Sequence, residues 1–411
     1  MQPKSHTGLH LSYCSNVHPG ESWPETLAQL KKYIPELKKR LSPDRPFGIG
    51  LRLSAAAANE LLTGNEMDPF KAWLKDEDLY VFTLNGFPYG SFHRERVKDE
   101  VYKPDWQSEK RFKYTANLIE ILAELLPDNV DGSISTSPVS YKYWGHSEEE
   151  KKQIIAQSSV YFADLAGIMA KIYRDDQTEI HIAIEPEPDC LIENSKETID
   201  YFSNHLFPEG SKHLAEKLSI PRTKAEEILR RHIGVCYDTC HFALEYENPS
   251  RAIDEFRAAG IRISKTQISA ALKVALSDST SEREKIANQL QKFVEPVYLH
   301  QTIERHSDGS LHQYRDLPQA LENIHTTNAE EWRIHFHVPV FHREFNGLHS
   351  TQDEITESLN ILLDSEICTH FEIETYTWEV LPDHLKADLT DSIEREFRWT
   401  TEVFSRNTKL S

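Results

Sequence analysis

The hydrophobic and polar positions of this chain alternate between short apolar runs and longer stretches with helical periodicity. Each run is rich in β-branched or aromatic residues and ends in polar or aromatic side chains, a pattern typical of a buried strand. A stretch with helical character follows each one. The ten runs are His10–Cys14, Phe47–Leu53, Leu79–Leu84, Gly132–Thr136, His181–Glu185, Ile233–Tyr237, Ile261–Gln267, Val297–Ile303, Arg333–Val338 and Phe371–Thr375.

Helix starts are marked between the runs by Ser/Thr-x-x-Glu sequences, whose hydroxyl and carboxylate satisfy the first free amides of a helix. A strand followed by a helix, repeated along the chain, predicts an α/β protein with parallel strands and crossover helices. We expect a (β/α)8 TIM barrel. An open doubly wound sheet is the alternative, disfavoured because no glycine-rich phosphate-binding loop follows a strand. The capping sequences are Ser22–Glu25, Ser147–Glu150, Thr223–Glu226 and Thr351–Glu354.

A barrel of this type needs eight strands, so two of the ten runs must belong to insertions. Val297–Ile303 precedes a Ser-Asp-Gly turn and is expected to be one arm of an inserted hairpin. The stretches Glu209–Arg231 and Ala270–Glu295 are predicted to be helical. We therefore expect the whole chain, residues 1–411, to be a single domain, with helical and hairpin insertions near 205–231 and 270–312.

Charge and composition exclude some classes of function. The chain has 411 residues, with 46 Lys and Arg against 66 Asp and Glu and a formal net charge of −20, which opposes binding to nucleic acid or to an anionic membrane. No apolar run reaches the roughly 18 residues of a membrane-spanning helix, and no signal-peptide core is evident. The five cysteines are scattered and indicate no disulfide framework. We expect a cytoplasmic protein that does not insert into a membrane.

Acidic groups and imidazoles gather where five of the runs end. In a TIM barrel the active groups lie at the carboxyl ends of the strands, and charged groups at the ends of apolar strands are costly unless a partner compensates them. A divalent cation is the usual partner, and Mn²⁺, Mg²⁺, Co²⁺ or Zn²⁺ accepts this mixture of oxygen and nitrogen ligands. The five endings are Ile182–Pro188, Val235–His241, Ser264–Gln267, His335–Pro339 and Phe371–Tyr376.

The residues of the first two endings allow more than one interpretation. Glu185 either ligates the cation or serves a structural purpose, as a helix cap or as the ion-pair partner of Lys265. Asp238 and His241 form a D-x-x-H sequence just past a strand, where a turn can bring both side chains to the barrel mouth. In series with Glu185, this sequence favours a functional site over a structural one.

The later endings are interpreted by strand geometry. His335 and His337 alternate along one strand, so only one of them is expected to face the site, and His337 is our choice. Glu372 and Glu374 share a strand face, and Glu374 lies closer to the mouth. Gln267 is a poor metal ligand and a good hydrogen-bond donor.

Two further features allow a structural interpretation. The segment Thr83–Gly90, which contains Asn85, carries two aromatic side chains and turn residues after a strand, so it either walls the pocket or forms a simple turn. Cys236 and Cys240 lack the spacing and the second cysteine pair of a structural zinc site, so they are expected to be structural.

With these residues identified, the chain resembles the xylose-isomerase-like TIM barrel superfamily, which includes sugar epimerases and endonuclease IV. The resemblance is carried by the order Glu, D-x-x-H, K-x-(H/Q) and a final Glu. More closely, its long motifs resemble the metabolite traffic protein EboE family over about His10 to Pro382. The motifs include LSYCSNVHPGESW, LYVFTLNGFPYGSFH, GSISTSP, IAIEPEPDC, GVCYDTCHFALE, HFHVPVF and IETYTWEVLP.

The resemblance implies a metal site and roles for its residues. Glu185, Asp238 and the last-strand Glu374 would be metal ligands, and His241 would lie near the substrate. Gln267 departs from the superfamily pattern, which commonly has a histidine there; His300 or His337 could replace that ligand. The resulting assignments are catalytic Glu185, Glu374 and His241; metal-ligating Glu185, Asp238, His337 and Glu374; and substrate-binding Gln267, Lys265, Asn85 and His300.

The sequence is compatible with three functions. The first is a metal-dependent isomerase, epimerase or lyase acting on a small polyol or carbonyl compound, in which a carboxylate moves a C–H proton next to a polarised oxygen. The second is a non-catalytic metabolite-binding or carrier protein in a secondary-metabolite traffic pathway, with partner proteins of the same export pathway. The third is an endonuclease IV-like metallohydrolase, which the negative charge opposes.

Overall fold

A computed structural model describes residues 1–407, except 3–7, 93–95, 346, 365–366, 380, 382 and 384–385. Its centre is an eight-stranded parallel sheet in the order β1-β14-β7-β6-β5-β4-β3-β2. The bridge between Cys14 and Gly50 nearly closes the sheet into a barrel. Its strands are β1 (His10–Tyr13), β2 (Phe47–Arg52), β3 (Leu79–Asn85), β4 (Gly132–Thr136), β5 (Ile180–Ile184), β6 (Ile233–Asp238), β7 (Ile263–Ile268) and β14 (His370–Ile373).

The predicted TIM barrel is therefore confirmed, and a second, six-stranded sheet accounts for the extra runs. This inserted sheet is antiparallel, has the order β10-β9-β11-β8-β13-β12, and lies between β7 and β14 in the chain. The two predicted runs outside the barrel are those near Val297–Ile303 and Arg333–Val338. Its strands are β8 (Ala270–Ala275), β9 (Thr302–Arg305), β10 (Leu311–Tyr314), β11 (Glu331–Val338), β12 (Glu344–Phe345) and β13 (Leu348–Ser350).

Helices surround the barrel and separate its strands in sequence. Ser22 and Ser147 form the predicted capping boxes with Glu25 and Glu150. No helix within the described ranges is long and apolar enough to cross a membrane. The helices are α1 (Trp23–Leu41), α2 (Ala55–Thr63), α3 (Met67–Asp76), α4 (Glu109–Leu125), α5 (Glu148–Asp176), α6 (Ser195–Asp200), α7 (Ser211–Leu218), α8 (Arg222–His232), α9 (Thr239–Leu244), α10 (Pro249–Ala258), α11 (Thr280–Leu290), α12 (Leu317–Asn323), α13 (Gln352–Asp364) and α14 (Leu389–Asn407).

Local predictions were wrong where long-range contacts decide the structure. The predicted helix Ala270–Glu295 begins as strand β8, which pairs with β11 and β13, because pairing with distant strands outweighs the helix propensity of its Ala and Leu residues. The hydroxyl of Thr351, which is part of a predicted capping sequence, accepts a hydrogen bond from the backbone amide of Ala271 in β8 (2.9 Å). Thr223 lies inside α8, which begins at Arg222 without a side-chain cap.

Candidate functional site

Three carboxylates meet at the carboxyl ends of the barrel strands. Glu185 directly follows β5, Asp238 ends β6, and Glu374 directly follows β14. One oxygen from each lies within 4.8 Å of the others, and all three side chains are buried. The structure thus brings together the three carboxylates that the sequence selected as metal ligands.

The capping geometry of Asp238 explains why a D-x-x-H sequence reaches this site. Its Oδ1 accepts hydrogen bonds from the backbone amides of Cys240 (2.8 Å) and His241 (3.1 Å) and from the Ser269 hydroxyl (2.6 Å). This holds Asp238 as the N-cap of α9. The other oxygen, Oδ2, has no hydrogen-bond partner, and His241 is carried on the first turn of the same helix.

Glu374 is held by two amide side chains. Asn16 and Asn85 each donate a hydrogen bond from Nδ2 to its Oε1, both at 2.8 Å. Asn85, selected as a substrate-binding residue, lines the pocket and positions this carboxylate. Asn16 was missed by the sequence reasoning, although it lies three residues beyond the end of β1, another strand end.

Burial makes the ionised form of these carboxylates unfavourable. It raises the pKa of Glu185 well above its usual range, and the charges of Glu374 and Asp238 add to the shift. Burial, followed by the charge of Asp238, likewise raises the pKa of Glu374. Because Glu185 Oε2 also has no hydrogen-bond partner, the group requires either protons or a bound cation.

Both histidines of β11 face this site, contrary to the expected alternation. The pairing of β11 with β8 is irregular between Ile334 and Val338, and such a bulge breaks the two-residue side-chain period. His335 and His337 consequently both line the pocket, with ring centroids 5.3 Å apart. His337 Nδ1 bonds the carbonyl oxygen of Glu374 (2.7 Å), and its Nε2 has no partner.

Lys265 and Gln267 lie in the barrel interior. Lys265 pairs with Glu372 at 2.7 Å, both fully buried, so this lysine compensates Glu372 and does not form the alternative pair with Glu185. Gly50 makes room, since a Cβ there would lie 1.8 Å from Glu372 Oε1. Gln267 pairs in register with Asp238 and Glu372 on the neighbouring strands, and neither end of its amide has a hydrogen-bond partner.

The structure does not bring His300 to the carboxylates. Its Nδ1 bonds the carbonyl oxygen of His335 (2.8 Å), and its Nε2 bonds Glu295 Oε1 (2.8 Å). Both ring nitrogens are therefore occupied, which leaves His337 as the imidazole with a nitrogen available beside Glu374.

Three aromatic side chains form one wall of the pocket, called the aromatic wall below. The pocket contains about 530 Å³ of space, part of it open to solvent. The rings of Phe92, Tyr298 and Tyr376 contact one another with centroids 5.1 to 5.3 Å apart. Glu187, two residues after Glu185, also lines the pocket. The sequence reasoning selected none of these four residues, although the repeated Glu-Pro of the β5 ending was a signal for Glu187.

No protein-family model matches the chain, and a comparison with curated proteins finds no match.

Solved structures share the fold. A xylose isomerase-like TIM barrel protein from Mycobacterium smegmatis, in complex with magnesium, is 9% identical with a TM-score of 0.52, over 99% of this chain and 100% of that chain. A D-tagatose 3-epimerase-like protein is 10% identical with a TM-score of 0.48, over 98% and 100%. The IOLI protein with a bound zinc atom is 12% identical with a TM-score of 0.47, over 97% and 99%. The first of these similarities, together with the eight-stranded parallel barrel, shows that the chain has the fold of a xylose isomerase-like TIM barrel.

Proposed function

We propose that this protein is a metal-dependent isomerase or epimerase of small polyol or carbonyl compounds. The proposal is supported by the close approach of three buried carboxylates, those of Glu185, Asp238 and Glu374. Oxygen atoms without hydrogen-bond partners on Glu185 and Asp238 and a set of hard ligands fit Mn²⁺, Mg²⁺, Co²⁺ or Zn²⁺, with His337 Nε2 as a fourth ligand. When bound, such a cation would polarise a carbonyl or hydroxyl oxygen of the substrate.

The carboxylates themselves would move the proton. Glu185 and Glu374 follow β5 and β14, which are separated in the sheet by β6 and β7, so they approach the pocket from different directions. Epimerisation removes a proton from one face of a carbon and returns one to the other face, which needs two such groups. Burial and the neighbouring carboxylates raise the pKa values of Glu185 and Glu374, which favours the protonated form that each group takes after accepting a proton from the substrate.

The substrate would be neutral. Among the described residues that line the pocket, Lys98 is the only lysine or arginine, and it pairs with Asp316 at 2.6 Å. Lys265, deeper in the barrel, pairs with Glu372. A phosphate or carboxylate on the substrate would therefore meet acidic side chains without a free cation, whereas the aromatic wall can pack against the face of a sugar or cyclitol ring.

Solvent isotope exchange tests this function. Chelator-treated protein is incubated in D₂O with neutral ketoses and inositol-type ketones, with or without Mn²⁺, and deuterium incorporation next to the carbonyl is followed by NMR. We expect exchange that requires the metal, disappears in Glu185→Gln and is weaker for phosphorylated analogues. Exchange that is independent of metal and of Glu185 would contradict the proposal.

A carrier role is the second candidate, and Gln267 favours it. The superfamily commonly has a histidine ligand at this position, and an amide weakens the metal site. The motifs that resemble the EboE family support a role in secondary-metabolite traffic, with a cytoplasmic location and partner proteins of the same export pathway. Tight binding of a metabolite without isotope exchange would favour this role. A nuclease-type hydrolase is disfavoured by the net charge of −20.

A further inference from the structure

The pocket that contains the carboxylates is polar in one part of its lining and apolar in another. The acidic groups and imidazoles come from the ends of barrel strands, from α9 and from β11. The apolar part comes from two other segments, the loop between β3 and α4 and the stretch between α11 and β9. Its members, called the apolar lining below, are Phe87, Phe92, Val97, Val101, Tyr298 and Leu299.

The apolar lining is a continuous surface that is not fully covered. Val101 and Leu299 pack against a small buried cluster that includes Phe87 and is separate from the main core. The rings of Phe92 and Tyr298 contact each other with centroids 5.3 Å apart. Val101 and Leu299 line the pocket but are only partly buried. Hydrocarbon surface exposed in this way is stabilised when an apolar ligand removes it from water.

Hydrogen bonds hold the two segments of the lining together. The backbone amides of Val97 and Lys98 both donate to the carbonyl oxygen of Val297, at 2.9 and 2.8 Å. The Tyr298 hydroxyl donates to the carbonyl oxygen of Phe92 (3.0 Å). The lining is therefore formed before a ligand arrives, so that binding does not have to order it.

The polar atoms near the apolar lining are already in use. The Tyr298 hydroxyl donates to a backbone carbonyl, and the ammonium of Lys98 pairs with Asp316. The Tyr102 hydroxyl, in the same pocket, donates to Glu187 and accepts from Gln301. A sugar hydroxyl placed against the lining would lose its hydrogen bonds to water and find few replacements, which is costly. A hydrocarbon group has no such cost.

The apolar lining begins directly beside the polar groups. The backbone amide of Phe87 donates to Asn85 Oδ1 (3.1 Å), and Asn85 Nδ2 donates to Glu374. The ring of Tyr376, which contacts Phe92 and Tyr298, lies 4.6 Å from the His337 ring between centroids. One small ligand can therefore contact the carboxylate group and the apolar lining together.

We propose that the substrate is amphiphilic: a neutral sugar or cyclitol that carries a hydrocarbon substituent. The polar ring would lie at Glu185, Asp238 and Glu374, and the substituent would lie on the apolar lining. This inference rests on the proposed function and names its substrate class. It assigns Val101 and Leu299 to substrate specificity, whereas the carboxylates act on the polar ring.

A series of ligands with one head group and increasing chain length tests the inference without an activity assay. Methyl, butyl and hexyl β-D-glucopyranosides are titrated into the full-length protein in the presence of Mn²⁺, and affinity is measured by calorimetry. Each buried CH₂ should tighten binding roughly three- to fourfold. We expect butyl glucoside to bind at least about tenfold more tightly than methyl glucoside, with a smaller gain from butyl to hexyl as the lining becomes covered.

Variants separate the apolar lining from nonspecific binding of hydrocarbon. Val101→Thr and Leu299→Asn keep nearly the same side-chain volume and make the surface polar, so each should reduce the gain from methyl to butyl at least about threefold. Leu311→Asn is the matched control, because Leu311 is an apolar residue on β10 that is 44% exposed, and it should leave the gain unchanged. Thermal melting checks that the variants fold.

The outcomes distinguish this inference from the proposed function. Equal affinities across the series, or no binding of any of the three glucosides, would overturn the inference, and metal-dependent isotope exchange in the same protein would leave the proposed function intact. An equal loss of the gain in Leu311→Asn would also overturn it, because the chain would then bind outside the pocket. A gain that depends on Val101 and Leu299 supports the inference. If the protein that shows this gain lacks isotope exchange, the isomerase function alone falls.

Discussion

The two ends of the barrel use the same residue types in opposite ways. At the amino-terminal end, Asp131 lies between His181 (3.0 Å), His370 (3.2 Å) and Arg262 (2.9 Å). Burial alone would raise the pKa of Asp131, but hydrogen bonds from the two histidines hold it well below its usual range. This carboxylate is charged, paired and part of a structural network.

The carboxyl-terminal mouth leaves its carboxylates without such compensation. Glu185, Asp238 and Glu374 have no lysine or arginine partner within the described ranges, and the pKa values of Glu185 and Glu374 are raised. Both ends present groups that could hold a metal ion. The two ends differ in the partners of their acidic groups: Arg262 and two histidines pair with Asp131, whereas within the described ranges no lysine or arginine pairs with the three carboxylates of the mouth.

Removing one carboxylate at the mouth should have the largest effect. We expect Asp238→Asn to weaken Mn²⁺ binding about 1,000-fold, corresponding to about 4 kcal/mol, because a neutral amide replaces a charged ligand. Isothermal titration calorimetry measures it. Asp131→Asn is the matched control at the other end and should leave the affinity unchanged. Equal losses in the two variants would show that the ends do not differ in this way.

In the metal-free protein, the free energy of unfolding should depend on pH because of the carboxylates at the barrel mouth. Burial raises the pKa of Glu187 to about 7, so the folded protein binds this proton more tightly than the unfolded chain. The free energy of unfolding is then greatest below the unfolded pKa of about 4.3 and falls by on the order of 3 kcal/mol as the pH rises through 7.

Urea denaturation of chelator-treated protein at several pH values between 5 and 8 measures this loss. Glu187→Gln is the isosteric control and should reduce the slope of the profile, because its amide does not titrate, whereas Glu185 and Glu374 still do. Added Zn²⁺ should have a similar effect. Stability that rises over this range in the metal-free protein would contradict the expected sign.

At the amino-terminal end the expected effect is on stability alone. Asp131→Asn should lower the free energy of unfolding by about 2 kcal/mol, because Arg262 and two histidines lose a charged partner that is largely buried. Chemical denaturation at pH 7 measures it. Asp254→Asn is the control: Asp254 pairs with Arg257, and both side chains are more than half exposed, so this change should cost less than about 1 kcal/mol. The reverse order would mean that the Asp131 network contributes little.

The local apolar pattern predicts the strands of the barrel but not the pairing of the inserted sheet. Each barrel strand is a local apolar run, so the pattern alone located all eight. Strand β8 (Ala270–Ala275) was read as helix because its partners β11 and β13 lie about 60 or more residues further along the chain, and no local pattern reports them. The insertion therefore could be located in sequence, but its sheet could not.

Sequence reasoning also located only part of the candidate site. Glu185, Asp238 and Glu374 follow from their positions at strand ends, which the barrel topology brings together. His335 was set aside because a regular strand would turn it away, and the irregularity in β11 depends on its pairing with β8. His300 was named with His337 as a possible replacement ligand and assigned to substrate binding. Its ring nitrogens are taken by Glu295 and a backbone carbonyl, contacts that only the folded chain reveals.

The smallest expected effect concerns Gln267, whose buried amide lies beside the mouth. It lies in register between Asp238 and Glu372, and neither end of its amide has a hydrogen-bond partner. If it occupies a weak ligand position, Gln267→His should tighten Mn²⁺ or Zn²⁺ binding about tenfold, or about 1.4 kcal/mol, because imidazole is the stronger donor. Calorimetry measures this, with Gln267→Leu as the control that removes both polar atoms.

Two other outcomes would change this interpretation. If Gln267→His leaves metal affinity unchanged and weakens binding of a neutral sugar, the amide donates to the substrate in a metal-free pocket, and the carrier role gains support. If neither property changes in Gln267→His or Gln267→Leu, the side chain does not act at the mouth. Its amide would then be part of the barrel interior beside the buried Lys265–Glu372 pair. The polar groups of the mouth that lack a charged partner would then be limited to the carboxylates and histidines.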